Sequence, residues 1–333
     1  MNINSLIKKK SLKSSNPLVS VLIPAYNHEN YVQETINSII NQTYQNIELI
    51  ICDDGSKDST WNKIKELEEK CKKRFTNVYF ETKENEGTCK TLNKMIGKSN
   101  GEYIYIIASD DISKPLAIEK EVNFLENNPK YALCVGNNEF VDSNSCVTYW
   151  NKDREITNNK KDAKYKTFAD FFQKMKGFKF TSKLFGTYES IYCNNYIPNG
   201  YLIRKSIFEK TGLFTTEAPL EDYYLMLQIS KYSKMKYLNE ILFSYRMHNT
   251  NTIKNNKKME MITLKTLEFE LKLLENSNIS MFNNDVNETY LKGGFCHTKG
   301  IPFIFEIIKR KKYDIKTKQF KAKKYFKIFG INF

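Results

Sequence analysis

The stretch 103-YIYIIASDDISKP-115 begins with six apolar or aromatic residues and continues into two adjacent aspartates, Asp110 and Asp111. A β-branched and aromatic run of this kind is typical of a strand buried inside a sheet. We therefore predict a core strand that carries both carboxylates to the edge of the sheet. There the two acids could serve as general acid and base, hold a hard cation, or cap the helix predicted from Pro115.

Strand-like and helix-like segments alternate around this stretch. The segment 18–27 is predicted to contain a strand that stops at Pro24, and further strands are predicted at 46–54, 77–82, 101–111 and 131–142. Amphipathic segments at 30–42, 61–71, 84–99 and 115–126 have the apolar spacing of helices that connect these strands. Continuous apolar strands alternating with helices predict an α/β fold with a mostly parallel sheet covered on both faces.

Polar clusters follow four of the predicted strands. They are Pro24 to Asn27, Asp53 to Ser56, Asn85 to Gly87 and Ser109 to Asp111. Because ligands bind beyond the carboxyl ends of parallel strands, we expect these clusters to converge on one edge. The sequence lacks both a G-x-x-x-x-G-K-[ST] loop and a G-x-G-x-x-G after the first strand, which argues against a P-loop enzyme and a dinucleotide dehydrogenase. A divalent cation would relieve the repulsion between adjacent carboxylates and leave positions for phosphate oxygens.

The composition sets wider limits. With 333 residues and 41% hydrophobic content, the chain can form a sizeable core. No stretch is apolar enough to span a bilayer and no secretory leader is evident, so we expect a cytoplasmic protein. The seven cysteines are scattered without a C-x-x-C pair, which argues against a disulfide framework and a zinc site.

The positive charge is concentrated at the two ends. Of the net charge of +14, residues 1–17 carry +4 and residues 303–333 carry +8, leaving +2 for the body. This distribution argues against a nucleic-acid groove and favours an anionic surface as the partner of the ends. Ala322, Tyr325, Phe326 and Phe329 have helical spacing among lysines, which predicts a basic amphipathic helix; it would lie on a membrane or pack on the domain.

The second half is less regular. Residues 151–166 are polar and residues 168–190 are rich in aromatics without a clear period, so we interpret this region as an insertion over the site. A short strand followed by helices is predicted from 199 to 233, a strand at 236–248 and a long helix at 256–278.

Several motifs together resemble one family. The segment 19-VSVLIPAYNHENYVQETINSIINQTYQNIELIICDDGSKDST-60, then NEG and SDD, is similar to the nucleotide-binding half of family 2 glycosyltransferases of the bacterial surface-glycan type. The resemblance covers about 18–142 and continues through 199–230 and 245-YRMHNTNT-252. It implies a GT-A fold, with a Rossmann-like, mostly parallel sheet flanked by helices, followed here by a helical basic C-terminal extension. We accordingly divide the chain into a basic segment (1–17), a nucleotide-sugar-binding half (18–145), an acceptor-binding and catalytic half (146–255) and the extension (256–333).

The resemblance also implies roles for individual residues. Those expected to hold the nucleotide-sugar are Pro24, Ala25, Tyr26, Asn27, Asp53, Asn85, Gly87, Ser109 and Asp110. Asp111 and His248 would hold a divalent cation, Mn²⁺ or Mg²⁺, that neutralises the departing diphosphate. Asp222 would take the proton of the acceptor hydroxyl, with Glu221 beside it, and the anomeric centre would be inverted. The alternatives are a charge pair that favours the helix dipole at Glu221-Asp222 and a satisfied imidazole at His248.

Three positions depart from the family pattern. Ala108 stands where many relatives have a further carboxylate, Leu92 stands where an arginine is common, and Gln228 replaces another arginine. The expected activity is transfer of a hexosyl or N-acetylhexosaminyl group, from a donor that is expected to be UDP-linked, to a saccharide or lipid-linked acceptor. The pathway would be cell-surface polysaccharide or lipooligosaccharide synthesis at the inner face of the membrane. A catalytically inactive nucleotide-sugar-binding protein and a nucleic-acid-binding protein are the alternatives.

Overall fold

The computed structural model describes residues 16–153, 155–249, 251 and 255–276, and the backbone of 294–301, 305–314, 319–328 and 331–332. In the first part of the chain strands and helices alternate as predicted: β1 (Val19–Ala25), α1 (Val32–Ile40), β2 (Ile47–Asp53), α2 (Thr60–Lys65), α3 (Glu68–Arg74), β3 (Asn77–Thr82), α4 (Thr88–Lys98), β4 (Tyr103–Ile106), β5 (Ile112–Ser113), α5 (Ala117–Asn127) and β6 (Tyr131–Val141).

The following part contains the predicted insertion and the elements after it. These are β7 (Val147–Trp150), β8 (Ile156–Thr157), α6 (Phe168–Lys176), α7 (Tyr188–Cys193), β9 (Tyr201–Arg204), a 3-10 turn (Lys205–Ile207), α8 (Phe208–Thr211), α9 (Glu221–Tyr232), β10 (Lys234–Arg246) and α10 (Asn256–Asn276). The long helix predicted at 256–278 is confirmed as α10.

The central sheet has the strand order β3-β2-β1-β4-β9-β6-β10-β5 in the described chain. Strands β3, β2, β1 and β4 are mutually parallel, and β6 is parallel to β10. Strand β9 is antiparallel to both of its neighbours, and β5 is antiparallel to β10. The predicted α/β class with a mostly parallel sheet is therefore confirmed.

Apolar side chains cover both faces of the sheet. All seven residues of β2 are buried, as the continuous apolar run predicted. On one face α1 contributes Val32, Ile36 and Ile39, which pack with residues of α5. On the other face α4 contributes Leu92 and Met95, which pack with residues of α7 and α9. At about 25 cal/mol per Å² of apolar surface, this two-sided burial is the main stabilising contribution to the fold.

Local boundaries differ from the prediction at three points. Strand β1 continues past Pro24 to Ala25, because the missing proline N–H falls at the last positions of the ladder. The predicted 61–71 helix is divided into α2 and α3. Strand β4 ends at Ile106, and the aspartates lie in a turn in which the Asp111 amide donates to the Ala108 carbonyl at 3.2 Å.

The predicted amphipathic tail helix is wrong. The described backbone of this region forms strands β11 (Gly294–Ile301), β12 (Phe305–Asp314), β13 (Gln319–Ile328) and β14 (Ile331–Asn332), which pair antiparallel in that order. Phe320, Ala322, Phe326 and Ile328 also recur at a period of two, which is the period of a strand. Ala322 and Phe326 belong to both patterns, and pairing with β12 selects the extended form; Phe329 lies outside the described residues.

None of the helices in the described part of the chain combines the length and the hydropathy needed to cross a bilayer.

Gly200, which precedes β9, provides a test of the packing that supports the site. Its φ is +74°, and an added Cβ would lie 2.1 Å from Cδ2 of the buried Phe243. We expect Gly200→Ala to lower the free energy of unfolding by about 2–5 kcal/mol, because it combines a left-handed backbone with overpacking. The control is Gly97→Ala in α4, where nothing lies within 4 Å of an added Cβ. That change should raise stability by about 0.5–1 kcal/mol. Urea unfolding that gave the two variants equal stability would contradict the packing described here.

Candidate active site

The loop after β1 is held against the loop after β2. Asn27 has a φ of 52°, and its backbone amide donates to Ser56 Oγ at 2.9 Å while its side-chain oxygen accepts from the Lys57 amide at 2.8 Å. Asp53 is buried and accepts from Ser56 Oγ and, at 2.8 Å, from Thr82 Oγ1. The Tyr26 side chain remains 45% exposed. The predicted residues Tyr26, Asn27 and Asp53 thus form one polar edge, with an aromatic ring available for stacking.

Asp54 shapes the loop that contains Asn85 and Gly87. Its carboxylate accepts from the amides of Glu86 at 3.0 Å and Gly87 at 2.9 Å, and its carbonyl accepts from Asn85 Nδ2 at 2.8 Å. Burial alone would raise the pKa of Asp54, but the hydrogen bonds from Lys83 and the Glu86 amide hold the pKa below its usual value. Asp54 therefore positions the loop as an ionised group.

Asp110 lies between two histidines from distant parts of the chain. Its Oδ2 is 2.8 Å from His248 Nε2, and its Oδ1 is 3.8 Å from His28 Nδ1, which is also 2.8 Å from Ser109 Oγ. Burial alone would raise the pKa of Asp110, but the hydrogen bond to His248 and the charge of His28 lower it. One nitrogen of each histidine and one oxygen of Asp110 lie within 4.8 Å of one another, so among the described residues these three form a possible metal site.

Asp111 faces away from this group. Its Oδ1 accepts from the backbone amide of Arg246 at 2.9 Å, and burial and the charge of Asp110 raise its pKa well above the usual value. The cation was predicted at Asp111 and His248; the structure instead brings Asp110 and His28 to His248. The turn at Ala108 causes this difference, because it directs the two adjacent carboxylates to different partners.

The side chain of Arg246 fixes the turn that contains Asp110 and Asp111. It is fully buried, and its Nε donates to the Asp110 carbonyl at 2.7 Å. Its other guanidinium nitrogens donate to the Asp142 carbonyl, to Ser145 Oγ and to Glu34. The guanidinium carbon lies 4.9 Å from the centroid of the Tyr31 ring, which in turn lies 4.9 Å from the ring centroid of His248. Arg246 thereby connects the aspartate turn to the histidine two residues after it.

Glu221 and Asp222 form the first turn of α9 and are partly buried. Burial raises the pKa of both carboxyls, and the charge of Asp222 helps to raise the pKa of Glu221 to about 7. Asn195, after α7, donates from Nδ2 to Asp222 Oδ2 at 3.2 Å, and the Tyr223 amide donates to Oδ1 at 2.6 Å. A carboxylate whose pKa is raised toward neutrality is suited to proton transfer.

The aspartate turn and the Asp222 carboxylate of α9 both act on one phenol, that of Tyr245. Burial raises the pKa of Tyr245, and the charges of Asp111, Asp110 and Asp222 raise it further, so this phenol lies within electrostatic reach of both groups. On the other side of α9, Asn93 exchanges two hydrogen bonds with the Phe214 backbone, at 2.8 and 2.9 Å. These contacts connect α4, just after the Gly87 loop, to the segment that leads into α9.

The predicted strand-end clusters therefore do converge on one edge, but four neighbouring residues were not predicted. They are His28, Asp54, Asn195 and Arg246. His28 directly follows the Pro24–Asn27 cluster and Arg246 lies two residues before His248, so adjacency could have suggested both. Nothing in the local sequence distinguishes Asn195, because its contact is 27 residues away.

Comparison with known proteins agrees with this geometry. Residues 20–185 match the family model described as glycosyl transferase family 2. An uncharacterized glycosyltransferase of Haemophilus influenzae is 32% identical over 238 residues, which cover 71% of this chain and 67% of that protein. The chain belongs to glycosyltransferase family 2. It is accordingly a transferase that uses nucleotide-sugar donors. Asp222 and His248 lie beyond the matched segment, so their roles rest on the geometry.

Two further likenesses bear on substrate and fold. An Escherichia coli protein named UDP-Glc:alpha-D-GlcNAc-diphosphoundecaprenol beta-1,3-glucosyltransferase WfgD is 33% identical over 143 residues, covering 43% of this chain and 54% of that protein. The structure of a mannosyltransferase from Pyrobaculum calidifontis in complex with GDP-Man and Mn²⁺ has a TM-score of 0.58 at 13% identity, covering 84% of this chain and 69% of that one. At this identity the second likeness shows the GT-A fold alone.

The donor set at Asp110 fits a divalent transition metal. Imidazole nitrogens suit transition metals such as Fe, Ni, Cu and Zn and a carboxylate oxygen also suits Mn²⁺, whereas Mg²⁺ prefers oxygen ligands alone. Bound there, the cation would supply positive charge at the leaving diphosphate. His28, Asp110 and His248 are the residues that would hold it.

Metal binding can be tested without any transfer reaction. We expect Asp110→Asn and His248→Asn each to weaken Mn²⁺ binding at least about tenfold, because each removes a ligand, which corresponds to about 1.4 kcal/mol or more. Electron paramagnetic resonance of free Mn²⁺ measures this directly. Asp111→Asn keeps an acceptor for the Arg246 amide and should change Mn²⁺ affinity less, and exposed Asp162→Asn should not change it. Equal losses in Asp110→Asn and Asp111→Asn would restore the assignment made from the sequence.

Proposed function

We propose that this chain transfers a hexosyl or N-acetylhexosaminyl group from a UDP-linked donor to a hydroxyl of a saccharide or lipid-linked acceptor, with inversion at the anomeric carbon. The observation that carries the proposal is the pair Glu221-Asp222, which has raised pKa values and whose Asp222, like Asp110, lies within electrostatic reach of Tyr245. The Glu221-Asp222 pair can accept a proton, and the Asp110 turn would hold the charged diphosphate.

In this proposal Asp222 accepts the proton of the acceptor hydroxyl as its oxygen attacks the anomeric carbon. The hydrogen bonds from Asn195 and the Tyr223 amide fix the orientation of its carboxylate. The bond between the anomeric carbon and the donor phosphate oxygen breaks, and the nucleoside diphosphate leaves with the electron pair. Glu221 adjoins Asp222 and would orient or contact the acceptor. A positioned carboxylate contributes about 10²- to 10⁴-fold to such a step.

The donor side is assigned to the loops after β1, β2, β3 and β4. Tyr26, Asn27 and Asp53 would contact the base and ribose, and the other donor-site residues are Pro24, Ala25, Asn85, Gly87, Ser109 and Asp110. The UDP-Glc named for the Escherichia coli relative supports a UDP-linked donor, and its lipid diphosphate acceptor supports a lipid-linked acceptor here. A reaction of this class belongs to cell-surface polysaccharide or lipooligosaccharide synthesis, on the cytoplasmic side of the membrane.

Asp222→Asn tests the assignment of the base. We expect kcat to fall about 10²- to 10⁴-fold while UDP-glucose or UDP-N-acetylglucosamine still raises the melting temperature in the presence of Mn²⁺, because donor binding does not require the base. Wild-type kcat should also fall as the pH drops below about 7, since the base must lose its proton and Glu221 has a pKa of about 7 in this coupled pair. Full activity in Asp222→Asn would move the role of base to another residue. A protein that binds the donor but never transfers sugar would support the inactive alternative.

We also propose that the C-terminal strands bind an anionic membrane surface. In the β12–β13 pair, Arg310 is opposite Lys323 and Lys312 is opposite Lys321, and the four residues share one face of the strands. Like charges directly opposite each other destabilise a sheet, and an anionic lipid surface would relieve that repulsion. The proposed partner is thus the anionic membrane surface expected from the sequence, but the basic residues that would bind it lie on a sheet and not on a helix.

Vesicle co-sedimentation of the full chain tests this proposal. Replacing Arg310, Lys312, Lys321 and Lys323 with glutamine should abolish most binding to vesicles that contain phosphatidylglycerol, since each basic residue contributes about 1 kcal/mol. The matched control replaces the exposed lysines 73, 130, 179 and 210 of the body, which changes net charge by the same amount. Equal binding by both variants would refute a role for the strands, and binding to phosphatidylcholine alone would refute an electrostatic mechanism.

A further inference from the structure

Helix α10 follows the catalytic elements and packs against them. Leu267 is buried in the core, and Met259, Ile262, Leu271 and Leu274 pack against it from the same helix. This apolar stripe attaches α10 to the domain but does not by itself involve it in the reaction. Two buried polar residues on α10, Thr266 and Glu270, do contact the helix that carries Asp222.

Thr266 contacts the residue at which α9 begins. Its Oγ1 accepts from the backbone amide of Leu220 at 3.0 Å, and Thr266 is fully buried. The carbonyl of Leu220 accepts from the Tyr224 amide at 3.0 Å and so forms the first turn of α9. Leu220 immediately precedes Glu221 and Asp222. The position of these carboxylates is therefore set on one side by a hydrogen bond from α10.

Glu270 contacts α9 two turns further along. Its buried carboxylate accepts from Gln228 Nε2 at 2.6 Å and from Tyr188 Oη at 2.5 Å, and it lies 2.7 Å from Lys231 Nζ. Since seven residues make about two helical turns, Gln228 lies on the same side of α9 as Glu221. Glu270 thus restrains rotation of α9 about its axis and connects it to α7, the helix that precedes Asn195.

The two contacts together constrain α9, the helix that carries the carboxylates, at its first residue and two turns further along. Thr266 fixes where α9 begins, and Glu270 fixes which side of it faces α10. Burying a carboxylate costs several kcal/mol unless it is paired, and Glu270 meets that requirement by taking its partners from α7 and α9. Without these two contacts α9 would keep its apolar core contacts, but the orientation of its first turn, and of the carboxylates on it, would change.

We infer that Thr266 and Glu270 are positioning residues for sugar transfer, which hold α9 so that the Asp222 carboxylate is directed at the acceptor hydroxyl. This inference rests on the proposed role of Asp222. It makes α10 a working part of the catalytic unit, although α10 lies far beyond the segment that matches the family model. It also assigns a function to Gln228, which replaces an arginine of the family pattern and is a neutral donor to Glu270.

Thr266→Val tests the inference because it keeps the shape of the side chain and removes the acceptor for the Leu220 amide. The first readout needs no substrate: the Glu221-Asp222 pair is titrated by carboxyl ¹³C NMR. Since burial is the main cause of the raised pKa of Glu221, a loosened first turn should lower the apparent pKa of the pair by about half a unit to one unit. Thr266→Ser should restore the wild-type titration. The matched control is Thr148→Val, another fully buried threonine whose hydroxyl donates to a backbone carbonyl, that of Thr157.

The second readout separates kcat from binding. With UDP-glucose as donor probe and a synthetic α-GlcNAc diphosphate lipid as acceptor probe, Thr266→Val should lower kcat about 5- to 20-fold, with the dissociation constant of UDP-glucose unchanged within twofold. Glu270→Gln should change the titration and kcat in the same direction. The inference is overturned if Thr266→Val titrates like wild type, or if it loses stability and nothing else, as Thr148→Val should.

The proposed function can fail separately. If Asp222→Asn remains fully active, Asp222 is not the base, whatever Thr266→Val does to the titration. If Asp222→Asn is impaired and Thr266→Val is not, the base stands and the positioning role of α10 falls. When both hold, the kcat loss from Thr266→Val should disappear in the Asp222→Asn background, because the two residues act on the same step.

Discussion

The buried guanidinium of Arg246 is the interaction on which the site depends. It comes from the last residue of β10, is fully buried, and fixes the turn after β4 by donating to the Asp110 carbonyl. Its backbone amide holds Asp111 in a second orientation. Because Arg246 is fully buried, a guanidinium nitrogen that lost its acceptor would be left unsatisfied, which costs about 1–3 kcal/mol. The order of strands in the sheet therefore matters for chemistry, because it brings residue 246 next to residue 110.

The same dependence on distant contacts explains what could be predicted from sequence. The parallel sheet and the polar clusters at its edge follow from local apolar runs and from the rule that strand ends bind ligands, so they were predictable. The different partners of Asp110 and Asp111 follow from one turn and from the buried Arg246, and the sequence around the aspartates indicates neither contact. Asn195 was missed because its contact is 27 residues away, whereas His28 directly follows a predicted polar cluster and could have been included. The prediction for the C-terminal tail failed for another reason: Ala322 and Phe326 belong both to an apolar pattern with helical spacing and to one with strand spacing, and pairing with β12 decides between them.

The two proposed halves of the reaction are supported by different kinds of contact. On the donor side the loops are held by short side-chain hydrogen bonds from within the first 111 residues, as at Asp54 and Asn27. On the acceptor side α9 is held by residues that come later and from other elements, Asn195 before it and Thr266 and Glu270 after it. The contacts on the proposed donor side therefore come from one contiguous part of the sequence, whereas the orientation of the proposed base depends on packing between helices.

The histidines of the site, His28 and His248, explain why position 108 can be alanine instead of a further carboxylate. A further carboxylate at this position, beside Asp110 and the fully buried Asp111, would add a negative charge to a region where the charge of Asp110 already raises the pKa of its neighbour. His28 instead offers a neutral nitrogen from the loop that follows β1. A cation held by two imidazoles and one carboxylate would retain more net positive charge than one held by two carboxylates, and positive charge is what a departing diphosphate requires. Because His28 directly follows Asn27, that cation would also be attached to the loop proposed to contact the nucleoside. Binding of the nucleobase and binding of the metal would then depend on the same few residues.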